Sequence, residues 1–222
     1  METQKYNYKR FKPDYYTFDN FAGPKIGEEA PDFTAFTLQG KKVKLSDFFG
    51  KPIVLETGSL TCPVYAGVVK EMNKMAEEFR EVQFLLLYTR EAHPGEKTGP
   101  HSSLEEKMLR AKESKKVYAE KRLILVDDVN GPAHEQYGFL PNSVYLINKN
   151  HKIYWRAQWN HPKETAGNIQ KMLEDKPSPC ESTSQFPGGV DFSALLKGGK
   201  VAVKDFIVAF PKLLWKKFGP NI

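Results

Sequence analysis

The stretch Gly58-Ser59-Leu60-Thr61-Cys62-Pro63-Val64-Tyr65 separates two segments of different periodicity. Before it, Pro52-Ile53-Val54-Leu55 is an apolar run of the kind that forms a buried strand. After it, apolar residues recur from Val68 to Phe79 at the spacing of one helix face. Pro63 suits the first position of that helix, since the first amides of a helix have no partner within it. The sequence therefore predicts that Cys62 lies between the end of a strand and the start of a helix.

That position predicts a reactive thiol at Cys62. Free amides and the positive end of the helix dipole would face the sulfur, which lowers a thiol pKa and raises the fraction of thiolate. We therefore interpret Cys62 as a redox nucleophile; a small buried core residue is the alternative. Ser59 and Thr61 can donate hydrogen bonds to a thiolate or to a leaving oxygen, or they can serve only to form the turn.

The rest of the chain alternates strand and helix patterns, which predicts an α/β domain over residues 26–175. An aromatic N-terminal arm, residues 1–25, is expected to drape over this domain or over a partner subunit. A C-terminal extension rich in Pro and Gly, residues 176–222, is expected to be mostly loop. The segments that predict strands are Phe33–Leu38, Val43–Leu45, Pro52–Leu55, Val82–Tyr88, Leu123–Val126, Val144–Ile147 and Ile153–Arg156.

Polar residues follow two of the predicted parallel strands. Chemistry in such a sheet lies beyond the carboxyl ends of the strands, where Cys62 and the segment Glu91-Ala92-His93-Pro94 both fall. We predict that His93 holds the thiolate charge or donates a proton and that Glu91 orients it; a solvated loop histidine is the alternative. His101 is a candidate for the substrate pocket, with a role in capping the next helix as its alternative.

The two cysteines are too few for a disulfide framework and suit a reducing compartment. Cys180 lies 118 residues after Cys62, in an extension that could bring the two Cα atoms within the about 7 Å that a disulfide requires. Cys180 is therefore a candidate resolving thiol, and an idle surface thiol is the alternative. The chain lacks metal-ligand spacing such as Cys-x-x-Cys and a Gly-rich phosphate loop, so we expect neither a metal nor a cofactor.

Composition argues against several other classes of protein. The formal net charge is +6, but acidic and basic residues are interleaved, which favours a solvated surface over a nucleic-acid-binding face. No run approaches the about 18 apolar residues of a membrane span, and residues 1–5 lack the layout of a signal peptide. We therefore expect a cytoplasmic protein without a transmembrane segment. The lysine-studded segment Lys200–Phe218 should dock on the domain or on a second subunit; a membrane-surface helix, which Pro211 would break, is the alternative.

Several motifs resemble known families. The segment Gly27–Pro52 resembles the N-terminal hairpin of the redoxin and peroxiredoxin branch of the thioredoxin superfamily. Three further motifs, in this order and spacing over about residues 50–160, resemble the iodothyronine deiodinase family, in whose animal members selenocysteine takes the position of Cys62. The resemblance implies a thioredoxin-like fold, with a central mixed sheet flanked by helices and an N-terminal hairpin. The three motifs are Gly58-Ser59-Leu60-Thr61-Cys62-Pro63, Tyr88…Glu91-Ala92-His93-Pro94 and Pro100-His101…Ser103-Leu104-Glu105.

The chain also departs from the deiodinase pattern. Leu60 replaces a cysteine that is usual in several members, so no local dithiol can form. Asn142 stands near the position of a substrate-binding glutamate, and Gln158 or Trp159 stands where an arginine is expected. The resemblance therefore implies that both polar anchors for the hormone are absent. Pro141 resembles the cis-proline that faces the cysteine in thioredoxin folds, which assigns Pro141 and Asn142 to the substrate pocket.

The resemblance to peroxiredoxins is partial. Ser59 matches the hydroxyl three residues before the cysteine, whereas Leu55 stands where a proline is expected. We predict a thiol-dependent oxidoreductase in which Cys62 reduces a peroxide or a related small oxidised substrate. An external thiol of the thioredoxin or glutathione type, or Cys180, then restores it. Reductive deiodination or dehalogenation of iodinated aromatic compounds is one alternative, and a non-enzymatic interaction module is another. Related folds often dimerise, which favours a homodimer.

Overall fold

The computed structural model describes residues 6–15, 21–182, 184 and 186–218, and for residues 214–218 the backbone alone. Parts of the predicted arm, residues 1–5 and 16–20, therefore lie outside the described residues. Strands and helices alternate along the domain, as the sequence predicts. The elements are β1 (Thr34–Thr37), β2 (Lys42–Lys44), a 3-10 turn (Leu45–Phe48), β3 (Ile53–Gly58), α1 (Pro63–Glu78), β4 (Gln83–Tyr88), α2 (Leu104–Val117), β5 (Leu123–Val126), α3 (Pro132–Gln136), β6 (Val144–Ile147), β7 (Ile153–Ala157), α4 (Pro162–Leu173), α5 (Ser193–Gly198) and α6 (Lys200–Phe218).

Seven of the described strands form one mixed sheet in the order β2-β1-β5-β4-β3-β6-β7. The three central strands, β5, β4 and β3, run parallel, and the outer strands pair antiparallel to their neighbours. All six residues of β3 are buried, because helices and loops cover both faces of the central strands. This arrangement places the segments after β3 and β4 side by side, at the same edge of the sheet.

The sheet separates two apolar layers. On one face, Leu55, Leu87 and Tyr145 pack against the 3-10 turn and α3. On the other face, Val54 and Leu146 pack against α1 and α4, and the β4 and β5 residues nearer the carboxyl end pack against α1 and α2. The apolar runs in the sequence are therefore buried on both sides, as an α/β domain requires.

Both ends of the described chain pack on the domain near the carboxyl end of β4. Tyr8 and Phe11 of the arm are buried in a cluster with Leu140 and with Ala209 of α6. Arg10 forms an ion pair with Asp205, which adds a polar contact between the arm and α6. The expectation that the C-terminal extension is mostly loop is wrong, since two helices, α5 and α6, occupy most of its described part.

The expectation that Pro211 would break the last helix is wrong. The helix α6 continues through Pro211 from Lys200 to Phe218. Proline removes one hydrogen-bond donor from the helix, but Ala209 and Leu213 on either side of it both pack against the arm. Tertiary packing therefore holds both halves of the helix together. Within the described ranges, no helix combines the length and the apolar character that a membrane span requires.

Candidate active site

Cys62 is the N-cap residue of α1, and Pro63 opens the helix as the sequence predicts. The backbone at Cys62 is extended, which directs the Sγ atom back over the first turn. Sγ accepts a hydrogen bond from the Tyr65 amide at 3.5 Å, and the thiol donates to the Pro141 carbonyl at 3.6 Å. The side chain thus lies between the helix start and the loop that precedes β6.

The pKa of the Cys62 thiol is raised, whereas the sequence predicted a lowered pKa. The residue is 1% exposed, and burial raises the pKa of Cys62 to about 12. The amides of Tyr65 and Val64 lower this pKa, as a helix start should, while the carboxylates of Glu56 and Glu91 raise it further. The prediction of a lowered pKa is therefore wrong for this closed arrangement, because desolvation destabilises the thiolate more than the two amides stabilise it.

Glu91 joins the loop after β3 to the loop after β4. Its Oε2 atom accepts hydrogen bonds from the Thr61 amide at 2.9 Å and from the Thr61 hydroxyl at 2.7 Å. Its Oε1 atom accepts from the Tyr88 hydroxyl and lies 3.2 Å from His101 Nε2. Burial alone would raise the pKa of Glu91, but these hydrogen bonds hold it below its ordinary value. A buried carboxylate therefore fixes the segment that leads into Cys62.

The predicted pairing of Glu91 with His93 is wrong, since the histidine that contacts Glu91 is His101. The His93 ring instead lies against Phe11 and Phe206, at centroid distances of 4.3 Å and 5.5 Å. Burial lowers the pKa of His93 to about 3, although Asp205 and Glu91 act in the opposite direction. A neutral imidazole among aromatic rings does not hold a thiolate charge. His93 contacts the site through its backbone, because its amide donates to the Thr61 hydroxyl at 3.0 Å.

Ser59 and Pro141 both lie near Cys62, but each differs in one respect from what the sequence predicted. The Ser59 hydroxyl accepts a hydrogen bond from the Ala92 amide at 3.1 Å, so it connects the same two loops as Glu91. The peptide bond before Pro141 is trans, and the expectation of a cis-proline is wrong. Pro141 nevertheless faces the cysteine, since its carbonyl accepts the thiol hydrogen bond.

Asn142 was predicted to line the substrate pocket, but its side chain belongs to a buried polar network. Its side-chain amide donates to Glu56 Oε1 at 2.7 Å. Arg122 forms ion pairs with Glu56 and Glu120, so the carboxylate in the middle of β3 is compensated. The sequence analysis missed this network. A glutamate inside an otherwise apolar strand was the available signal, because a buried carboxylate requires a partner.

Tyr88, which opens the second motif but had no predicted role, and Tyr118, which the sequence did not single out, both bond to Leu60. The Leu60 amide donates to the Tyr88 hydroxyl at 3.1 Å, and the Tyr118 hydroxyl donates to the Leu60 carbonyl. The N–H and the carbonyl of Leu60, which stands where some family members have a second cysteine, therefore both have hydrogen-bond partners. The loop before Cys62 is consequently held by side chains from β4 and from the end of α2.

Both cysteines are free thiols, and Cys180 is exposed whereas Cys62 is buried. Near Cys180, the Ser182 amide donates to the Arg156 carbonyl at 3.1 Å on the outer edge of β7. The strand β6 lies between β7 and β3, so three strand spacings, about 14 Å in total, separate this segment from the line of β3. A disulfide requires Cα atoms within about 7 Å, and Cys180 therefore reaches Cys62 only if its segment leaves the sheet edge.

The two ends of the described chain cover the loops of the site. The Tyr8 hydroxyl donates to the Ala92 carbonyl at 2.8 Å. In the extension, the Asp191 amide donates to the Pro63 carbonyl at 2.8 Å, and the Lys97 amide donates to a carbonyl of α5 at 3.1 Å. Access of a substrate to Cys62 therefore requires local opening of this cover. In the described part of the chain, no three His, Cys, Asp or Glu side chains group as metal ligands.

The chain matches proteins of known type over most of its length. The model of the iodothyronine deiodinase family matches residues 4–175. Type I iodothyronine deiodinase of Xenopus laevis is 26% identical over 160 residues, covering 66% of this chain and 63% of that relative. The chain thus spans less than two thirds of the length of this relative. The thiol-disulfide oxidoreductase ResA of Bacillus thuringiensis is 27% identical over 152 residues, covering 67% of this chain and 79% of that relative.

The fold has solved counterparts as well. A secreted disulfide oxidoreductase from Mycobacterium tuberculosis superposes with a TM-score of 0.50 at 17% identity, covering 62% of this chain and 94% of that one. The predicted thioredoxin-like fold is confirmed by this likeness and by the mixed sheet. The family match extends from the arm to the end of α4 and so includes Cys62, Glu91 and His101. By that match, this chain belongs to the iodothyronine deiodinase family.

Proposed function

We propose that this protein is an oxidoreductase that uses Cys62 to remove a halogen reductively from an aromatic substrate. The observation that carries the proposal is the family match over residues 4–175, within which Cys62 is the N-cap residue of α1. The relatives are named as deiodinases and as a thiol-disulfide oxidoreductase, and both names fit redox chemistry at a thiol. The location of Cys62 beyond the end of a parallel strand agrees with this class of site.

The proposed reaction consumes two external thiols for each iodide released and regenerates the Cys62 thiol. The Sγ atom of Cys62 bonds to iodine while the C–I electron pair stays on the ring carbon, which takes a proton. The thiol proton, held at the Pro141 carbonyl, balances this step. An external thiol then attacks the sulfenyl iodide, releases iodide and leaves a mixed disulfide, and a second thiol restores Cys62.

Two neighbouring groups have proposed roles: one stabilises negative charge on the Cys62 sulfur, and the other fixes the loop that leads to it. The amide of Tyr65 is aimed at Sγ and stabilises negative charge there once the cover opens. Glu91 is a positioning residue, because it holds Thr61 and thereby the approach to the helix start. The distance of the Cys180 segment from β3 favours an external reductant, of the thioredoxin or glutathione type, over a resolving role for Cys180.

The substrate is proposed to be a small iodinated aromatic compound without charged anchoring groups. Asn142, which stands near the position of a substrate-binding glutamate in the family pattern, bonds to Glu56 inside the core. An amide used in this way is not free to hold an amino-acid group on a substrate. An iodinated phenol is therefore the substrate class that we expect.

Reduction of a peroxide or a disulfide is the second candidate. It is favoured by the similarity to a thiol-disulfide oxidoreductase over two thirds of the chain. We place it second because the Ser59 hydroxyl, the match to the peroxiredoxin motif besides Cys62, accepts a hydrogen bond from the Ala92 amide, and the proline of that motif is replaced by Leu55. This order reverses the preference that the sequence alone suggested.

Iodide release in the presence of glutathione or dithiothreitol tests the proposal. We expect catalytic release from an iodinated phenol by the wild type and by Cys180→Ser, and none by Cys62→Ser. Peroxide consumption that depends on Cys62, without iodide release, would select the second candidate. If both activities are absent or both survive in Cys62→Ser, the protein acts through another function, such as a binding module.

A further inference from the structure

A groove of about 490 Å³ lies between the loop after β4 and the two C-terminal helices. Its lining is apolar along the floor and carries lysines at the rim. We call this region the α5–α6 surface. It is separate from Cys62 and plays no part in the chemistry proposed above. The lining residues are Lys97, Leu196, Gly199, Lys200, Val203, Lys204, Ile207 and Val208.

The α5–α6 surface exposes large apolar side chains next to one another. Leu196 is 60% exposed, Ile207 is 64% exposed and Val208 is 71% exposed. On the same helix, Phe210 is 44% exposed. Single exposed apolar residues are ordinary, but a group of large ones beside a groove marks an interaction site.

The charges around the groove are positive. Lys97, Lys200 and Lys204 line it, and the two nearby carboxylates each have a partner of their own. Glu96 accepts hydrogen bonds from the first amides of α6, and Asp205 pairs with Arg10 of the arm. The sequence of α6 as a whole contains five lysines and one aspartate.

We propose that the α5–α6 surface binds peripherally to an anionic lipid bilayer, with its apolar residues in the headgroup region. Apolar side chains rimmed by lysines are complementary to such a bilayer, because the acyl boundary takes the former and the lipid phosphates attract the latter. A second copy of the chain fits less well, since a two-fold contact through this surface would bring the two lysine rims together. Lys97 lies on the same loop after β4 as Glu91, so this membrane contact would adjoin the loop that carries Glu91.

Vesicle sedimentation of the full-length chain tests this proposal directly. We expect binding to vesicles of phosphatidylcholine mixed with phosphatidylserine and little binding to phosphatidylcholine alone. Binding to the anionic vesicles should weaken as salt is added, because salt screens the lysines. Each lysine near an anionic surface changes the affinity about fivefold, so Lys200→Gln/Lys204→Gln should bind about 25-fold more weakly.

Two further variants localise the contact. Ile207→Ser/Val208→Ser removes apolar side chains that are already exposed, so the fold is expected to persist while vesicle binding falls at least tenfold. Lys112→Gln/Lys115→Gln on α2 makes the same change in net charge on another exposed helix face and should bind like the wild type. Far-ultraviolet circular dichroism and the unfolding midpoint of each variant verify that the fold is kept.

Three outcomes would overturn the proposal. One is the absence of binding to anionic vesicles at low salt. Another is an equal loss of binding in the α2 control variant, which would mean that net charge alone is responsible. The third is a concentration-dependent dimer that Ile207→Ser/Val208→Ser dissociates, in a protein that does not sediment with vesicles; the surface would then be an interface between two copies.

Discussion

Cys62 is subject to two opposing effects at the scale of a single residue. The helix start supplies amides that favour a thiolate, and the apolar cluster around Leu60, Tyr65 and Tyr88 disfavours it. Burial is the larger effect, so the closed site holds a neutral thiol. Under the proposed function, burial protects the cysteine until the cover opens, because the thiolate is the form that reacts with oxidants.

Titration of the Cys62 thiol checks this balance. The absorbance near 240 nm of Cys180→Ser, minus that of Cys62→Ser/Cys180→Ser, reports the Cys62 thiolate without the tyrosine contribution. We expect no thiolate signal at neutral pH and a rise toward the pKa of about 12. Because that pKa is raised above the about 8.5 of an unfolded chain, the contribution of Cys62 to stability is lost as pH rises through this interval. A midpoint at or below about 8.5 would contradict the account.

Glu91 is the residue whose removal should cost the most stability among the site residues. Glu91→Ala leaves the amide and hydroxyl of Thr61, the Tyr88 hydroxyl and His101 without their buried acceptor, so we expect a loss of about 3 kcal/mol in the free energy of unfolding. Urea denaturation measures this change. Glu78→Ala, which removes an exposed carboxylate from an i,i+4 pair on α1, should change the stability by less than about 0.5 kcal/mol. Equal effects of the two variants would refute a bonding role for Glu91.

The position of Cys62 could be predicted from the sequence, whereas its neighbours could be predicted only in part. The apolar run before Cys62 and the proline after it define a strand end and a helix start. The segment after β4 contains both His93 and His101, and the spacing does not reveal which ring turns toward Glu91. The direction of the Cys62 pKa also escaped prediction, because the desolvation depends on how tightly the surrounding segments pack.

At the scale of elements, the arm and the last helix form part of a cover over the site loops. The strands were predictable because their apolar runs are distinct, although β3 continues to Gly58, past the predicted end at Leu55. The arm has no such period, and its burial depends on contacts with Ala92, His93 and α6. The continuation of α6 through Pro211 depends on the same contacts, so sequence rules for an isolated helix did not predict it.

Phe11→Ala tests the arm as a cover. Phe11 is buried against the His93 ring, so its truncation should weaken the docking of the arm and raise the rate at which iodoacetamide modifies Cys62 about tenfold. The rate is measured in a Cys180→Ser background by mass spectrometry. Phe49→Ala is the matched control, because Phe49 stacks on His151 in the hairpin between β6 and β7. An unchanged rate in Phe11→Ala would mean that the arm does not limit access to the thiol.

At the scale of the whole molecule, a thioredoxin-like sheet presents one cysteine at its carboxyl edge beneath both ends of the described chain. The fold and the family are established by the topology and the matches. The cytoplasmic location, the homodimer and the boundaries of the arm and the extension stay predictions. Because Ser182, near Cys180, is bonded to β7, the cycle that we propose restores Cys62 with an external thiol.

The most direct test is to identify the covalent intermediate on the protein during dehalogenation. Wild-type protein is mixed with an iodinated phenol and a small excess of glutathione, quenched with acid, digested and analysed by mass spectrometry. The account predicts a glutathione mixed disulfide on the peptide that contains Cys62, at up to one per protein while iodide is being released, and none on the peptide of Cys180. Iodide release without modification of Cys62, or with modification of Cys180 alone, would contradict it.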